Sequence, residues 1–421
     1  MSMDSNDAHR AGWTPSDEDF EDLEPEPGTE PALQPLPTVA LAVERFLARQ
    51  GGKPPVLFPW PGGREEMPPE DERLPAGAVL PPEDGCKGVP WERFWRKVRP
   101  LWPDRLAVLV GMTGRGKSGF ALQTAEAVAR AGHPVLYVSA EMGTDELVAR
   151  LLALRAREGE NYHEGPAWRS IMMGAAPIED LKSACAALVQ DCPRLFLWAP
   201  AAADRTPAFL EGWTRAVVDA CDGAPPLVVI DYLQRMAEGE DLRGATRAVS
   251  GMLRDLSRPG GLGKDWPGAA VFALSSTARS NYGHMTTVDA LNHAYCGFTH
   301  KWTDREGKEH KTYHPPEELV GMGKESGELE TDASLLLVMT TDRAKKDGPE
   351  SAPRIGLVVV PKNRAGGEGE VDFDFYPATG RFVERKPQKA AIQPRPTRRE
   401  RTDHGAEVAE QLLDNQRTVT F

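Results

Sequence analysis

Residues 105–118, RLAVLVGMTGRGKS, decide the fold. Leu106 to Val110 is an apolar run with the length of a buried strand. It leads directly into Gly111-Met112-Thr113-Gly114-Arg115-Gly116-Lys117-Ser118, which satisfies G-x-x-x-x-G-K-S/T. Glycines let such a loop curl so that consecutive backbone N–H groups point inward at a polyphosphate, and a helix expected from Ser118 to Arg130 aims its positive end at the same point. In this motif Lys117 reaches the β- and γ-phosphates and the Ser118 hydroxyl holds a metal ion, so ATP with Mg²⁺ is the expected ligand pair. The competing reading is a Gly-rich strand-to-helix turn that binds nothing. Strand before, helix after and Lys-Ser in register weigh against it.

Outward from this loop the chain alternates strand and helix. Val135 to Ser139 (VLYVS), Leu195 to Trp198, Leu227 to Ile230 and Ala270 to Ser275 have strand character. Asp145 to Arg157, Ile178 to Gln190, Pro207 to Ala220 and Arg243 to Leu256 have helical period. Strands separated by helices of this length require a mostly parallel sheet covered on both faces. Leu335 to Met339, Ile355 to Val360 and Val371 to Phe375 follow with short links, so the sheet is expected to finish in antiparallel hairpins. The fold class is α/β, a P-loop NTPase core flanked by disordered tails.

The tails separate by composition. Of 421 residues with net charge −13, the first 90 hold 18 acidic against seven basic side chains and carry −11. The acid therefore lies in a tail, and the overall balance does not exclude a nucleic-acid partner. Residues 1–87 are acidic and Pro-rich and expected to be largely disordered, apart from a short helix at Leu41 to Arg49; the core is placed at 88–383, and 384–421 forms a basic tail. Residues 385–401 carry seven Lys and Arg against one Glu, a charge that could trail along DNA or simply be solvated. Five cysteines, odd in number and without C-x-x-C spacing, fit a reduced compartment. With no long apolar span, no membrane partner is expected and the localisation is read as cytoplasmic.

Nucleotide hydrolysis needs a second carboxylate for Mg²⁺ and a base to orient the attacking water. Asp231 ends the apolar run LVVID in the form of a Walker B strand. Glu141 follows the strand VLYVS, at the carboxyl edge where open α/β sheets bind ligands. Their bland alternatives are a strand-capping Asp and a solvated turn Glu.

In order along the chain, GMTGRGKSGFALQTA, VSAEMGTDELVARLLA, VVIDYLQRM, ALSSTARS, KESGELETDASLLLVM and VVVPKNRAGGEGEVDFDFYPATGRF are similar to the motifs of the RecA-like motor domain of DnaB-type replicative helicases, superfamily 4. The resemblance runs from about residue 105 to 383. It implies Glu141 as the catalytic glutamate and Asp231 as the Walker B aspartate. It implies Lys362 and Arg364 as a pair reaching the neighbouring subunit's γ-phosphate, and Lys324-Glu325-Ser326-Gly327 as a loop gripping single-stranded DNA in a central channel. It further implies a ring homo-oligomer, expected to be a hexamer, with a primase or loader left unidentified.

Three features depart from the family. Ser276 stands where a γ-phosphate-sensing Gln is usual, no helical primase-contacting domain is recognisable in residues 1–87, and the segment 279–324 is much longer than the family's loop. Within that insertion Phe298 to His314 reads as a β-hairpin turning at Asp304 to Gly307, and it interleaves Lys301, Arg305, Lys308 and Lys311 with Trp302 and Tyr313, a pattern suited to base stacking plus phosphate attraction. Cys296, His300, His310 and His314 admit a zinc reading, outweighed by a solvated hairpin without metal.

The resulting expectation is an ATP-dependent helicase or translocase acting on single-stranded DNA in replication, in a phage, plasmid or accessory setting. The rivals are a RecA/RadA-like recombination or repair ATPase and a nucleotide-dependent assembly switch with slow hydrolysis, the latter favoured by Ser276.

Overall fold

The computed structural model describes residues 56–61, 91–155, 166–175, 177–236, 242–277, 298–303, 309–314, 331–341 and 352–385. The elements named here are α1 (Glu92–Val98), β1 (Leu106–Gly111), α2 (Lys117–Arg130), β2 (Val135–Ser139), α3 (Thr144–Arg155), α4 (Trp168–Met172), α5 (Ile178–Asp191), β3 (Leu195–Trp198), α6 (Pro207–Ala220), β4 (Leu227–Asp231), α7 (Leu242–Ser257) and β5 (Ala270–Ser276). They continue with β6 (Phe298–Thr303), β7 (Glu309–His314), β8 (Leu335–Thr341), β9 (Arg354–Asn363), β10 (Gly369–Tyr376) and β11 (Arg381–Glu384).

Nine strands form one sheet in the order β11-β10-β9-β8-β1-β5-β4-β2-β3. The pairs from β8 through β3 are parallel, and β8–β9, β9–β10 and β10–β11 are antiparallel. The α/β core with terminal hairpins is therefore as the sequence predicts. The β1 strand is central and buried along its length because both faces are covered. Ala107 and Leu109 enter one cluster with Phe120, Leu151 and Phe373, while Leu106, Val108 and Val110 enter the other with Val217 and Leu253. Among the described residues no helix is long and apolar enough to cross a membrane.

Three elements escaped the sequence reading. The first is α1, with Phe94, Trp95 and Val98 buried; its N-terminal amides at Arg93 and Phe94 donate to the two Glu384 carboxylate oxygens at 3.0 Å each, a helix-start anion supplied from β11. The second is β11 itself, and the third α4. Residues 56–61, inside the stretch expected to be largely disordered, are built into the core instead. Phe58 bridges Leu101 through backbone bonds of 2.7 and 3.1 Å, and Trp60 is fully buried with its ring edge against Phe94 and Phe272. Two large rings separated by one residue contribute enough apolar burial to order a short segment despite its prolines.

The hairpin in the insertion is present. The strands β6 and β7 pair antiparallel with Lys301 opposite Lys311 and Trp302 opposite His310. Its turn, the segment Lys324 to Gly327, Cys296, the helix at Leu41 to Arg49 and both chain ends lie outside the described residues.

Trp91 ties the ends of the domain together. Fully buried, it stacks on Phe120 of α2 at 4.4 Å and donates from its indole Nε1 to the Phe382 carbonyl at 3.1 Å. Trp91→Ala is expected to cost about 3–5 kcal/mol, measured as a shift in the denaturant midpoint with an unchanged m-value.

Candidate nucleotide-binding cleft

The strand β1 delivers the loop Gly111 to Ser118 to the carboxyl edge of the sheet, and α2 begins inside the motif. Gly116 has φ 93°, a left-handed conformation that disfavours any side chain, and a Cβ there would meet the Phe382 and Phe375 rings at 2.8 and 2.9 Å. One turn on, a Cβ at Gly119 would lie 2.5 Å from the Gly380 carbonyl. The loop is thus seated on the β10–β11 turn, with the Phe375 and Phe382 rings stacked beneath it at 4.5 Å.

A cleft of about 400 Å³ opens above it, lined by Thr113, Gly114, Gly116, Lys117 and Ser118 and by Glu141, Asp231 and Ser276 from three neighbouring strand ends. Of the loop residues read as ligand-binding, Gly111, Met112 and Arg115 lie behind this lining. Met112 is buried in the core, and the buried Arg115 donates to the Thr341 carbonyl, pinning the loop to the end of β8.

Lys117 is 8% exposed, and its Nζ donates to the Gly111 and Met112 carbonyls at 2.7 and 3.0 Å. Burial pushes its pKa down to about 8, against the opposing pull of Asp231 and Glu141. Asp231 is almost fully buried, which pushes its carboxyl up, while hydrogen bonds from Ser118 and Tyr137 and the Lys117 charge pull it down. The Tyr137 hydroxyl donates to Asp231 Oδ2 at 2.8 Å; burial beside that carboxylate holds the phenol well above its ordinary range, so it stays a donor. The joined Ser118 hydroxyl and Asp231 carboxylate form a hard-oxygen pair suited to Mg²⁺. Among the described residues no cluster of three or more His, Cys, Asp or Glu could hold a metal by itself, so such an ion would need ligands from water or phosphate.

Glu141 is exposed at the cleft. Two bonds fix the turn presenting it: the Ala140 amide donates to the Asp231 carbonyl at 2.7 Å, and the Met142 amide to Ser139 Oγ at 2.9 Å. Ser276 is clamped from the helical turn that follows β4, since its amide donates to Gln234 Oε1 at 3.2 Å while Gln234 Nε2 donates to Ser275 Oγ at 2.8 Å.

Lys362 and Arg364 are elsewhere. The strand β9 runs antiparallel to β8, so Arg354 at its start lines the cleft while Lys362 pairs with Leu336 near the opposite edge. Eight residues of extended strand separate the two, roughly 26 Å. Lys362 Nζ and Arg364 Nη2 both donate to the Thr331 carbonyl, at 2.7 and 3.5 Å. Sequence reasoning missed Arg150, Trp168, Arg354, Phe375 and Pro377 in the lining; Arg150, Phe375 and Pro377 fall within motif-like segments that gave them no role, and no local motif marks Trp168 or Arg354.

Residues 80–259 match the AAA domain family model. A DnaB-like replicative helicase, solved in connection with its interactions with primase, matches over 70% of this chain at 19% identity and TM-score 0.51. The match spans 61% of that protein's chain. A second solved structure, an ATPase domain, matches over 68% of this chain and 86% of its own at 21% identity and TM-score 0.47. No curated protein sequence matches. The fold is thus similar to that of the DnaB-like replicative helicase over 70% of this chain.

The Lys117 pKa sets the pH response of anion binding. Below about 8 the ammonium is already charged and a polyphosphate takes up no proton there; above it, binding must reprotonate Lys117. Tripolyphosphate affinity is expected to be level from about pH 7 to 8 and then to fall by up to about tenfold per pH unit. Titration calorimetry on the parent and on Lys117→Met, which should lack the alkaline fall, checks this.

Proposed function

We propose that the chain is an ATP-dependent, Mg²⁺-requiring helicase or translocase of the DnaB type, working on single-stranded DNA as a ring, in the expected form a hexamer. The observation that carries it is the convergence of Lys117, Ser118, Glu141 and Asp231 from three strand ends on one cleft. Backbone N–H groups of the loop and the Lys117 ammonium bind the polyphosphate, leaving its hydrogen bonds to Gly111 and Met112 as it swings out. Ser118 and Asp231 would hold Mg²⁺, which neutralises charge on the phosphoryl oxygens when bound. Glu141, exposed at the cleft mouth, orients and deprotonates the attacking water.

Placement of Lys362 and Arg364 at the far edge of the sheet supports a ring. Within their own subunit a reach of roughly 26 Å is too long, so any action on a γ-phosphate falls on a neighbour's nucleotide. Lys324 to Gly327 as the DNA-gripping loop and Trp302 as a base-stacking residue are part of the same proposal, as is a phage, plasmid or accessory setting with a primase or loader still to be identified. One observation favours the assembly-switch reading: the short Ser276 side chain lines the cleft where a longer amide is usual in the resembling family. It would leave γ-phosphate sensing weak and hydrolysis slow.

Lys117→Ala should abolish ATP hydrolysis, whereas Glu141→Gln should still bind ATP and lose about 10²-fold or more in turnover; phosphate-release assays with and without single-stranded DNA test both. Hydrolysis by the parent that ignores DNA would favour the switch. Lys324→Ala is expected to remove DNA stimulation while basal turnover survives.

Arg364→Ala and Lys117→Ala subunits, each inactive alone, should regain activity when mixed, because some interfaces then hold both an intact loop and an intact neighbour's arginine. Activity that never rises at any mixing ratio would mean that Arg364 acts within its own subunit or not at all.

A further inference from the structure

The cleft has a second end that phosphate chemistry leaves unused. There α4 lies against the β10–β11 turn, with the Trp168 amide donating to the Ala378 carbonyl at 3.0 Å, and the Trp168 side chain lines the cleft beside Pro377. One face of that indole is occupied, since the Arg150 guanidinium lies 3.9 Å from the ring centre, held there by Glu146 at 2.7 Å. Arg169, exposed and next along the chain, lies over the same ring at the longer distance of 5.4 Å. A half-buried ring backed by a fixed cation has its electron density drawn toward that cation. The side of the ring that lines the cleft therefore suits an electron-rich aromatic plane. A polyphosphate seated on the loop brings such a plane into the same 400 Å³ cleft only if it carries a base.

We propose that Trp168 is the base-contacting residue of this cleft, stacking on the purine of the bound nucleoside triphosphate, with Arg150 and Glu146 as the residues that hold its ring in position. This rests on the nucleotide reading above and adds a contact that no motif in the sequence carries. Stacking is insensitive to which groups decorate the base and scales with its π-face, so purine nucleotides gain most.

The test separates the base from the phosphates by comparing ATP with tripolyphosphate, titrated calorimetrically against the full chain. Trp168→Leu keeps apolar bulk without a π-face; it should weaken ATP roughly tenfold and leave tripolyphosphate within about twofold. Trp168→Phe, the milder change, should retain ATP affinity within about threefold and guards against a variant that fails to fold. Equal losses for both ligands would show that Trp168 only props Arg150, and an unchanged ATP affinity in Trp168→Leu would remove the indole from the site; either result overturns the inference while leaving the nucleotide reading intact. A parent chain that takes up neither ligand overturns both.

Discussion

The close approach of α2 to the β10–β11 turn is the constraint on which the rest of the structure depends. It exists because residues 116 and 119 have no Cβ: one would collide with two aromatic rings, the other with the Gly380 carbonyl. The contact brings the last strands of the domain under the phosphate loop at its centre. Gln123 reinforces it by exchanging hydrogen bonds with both backbone groups of Phe382, at 3.0 and 2.8 Å. Through Trp91 and Glu384 the same strand also fixes α1, so the N-terminal lead-in, the loop helix and the C-terminal hairpin form one aromatic-rich unit.

That unit explains the electrostatics of the cleft. Lys117 sits where protein atoms surround its stem, so its charge is costly, and it is held by two carbonyls of its own loop. Asp231 is buried at the neighbouring strand end and satisfied by Ser118 and Tyr137. Glu141, on a turn fixed by two hydrogen bonds to the same strand ends, is left exposed. Two carboxylates in one cleft thus differ in solvation.

Sheet direction divides labour between the two edges. The carboxyl ends of the parallel strands build the cleft, and the reversal at β9 carries Lys362 and Arg364 back to the other edge, where they share the Thr331 carbonyl.

By itself the sequence determined what is local. Leu106 to Ser118 names a strand, a phosphate loop and a helix start because glycine freedom and apolar runs act over a few residues, and LVVID and VLYVSAE place carboxylates at strand ends for the same reason. Most strand and helix limits follow to within two residues, since buried parallel strands read as continuous apolar runs. Tertiary structure alone decided the rest. Trp168 and Arg354 line the cleft, Phe58 and Trp60 enter the core, and Arg115 turns away from the loop it belongs to, yet nothing in their neighbourhoods signals any of this. Their positions follow from strand order and from the α2–β10–β11 contact, which join residues more than 200 positions apart, and a sequence pattern records the periodicity of a segment without recording what packs against it.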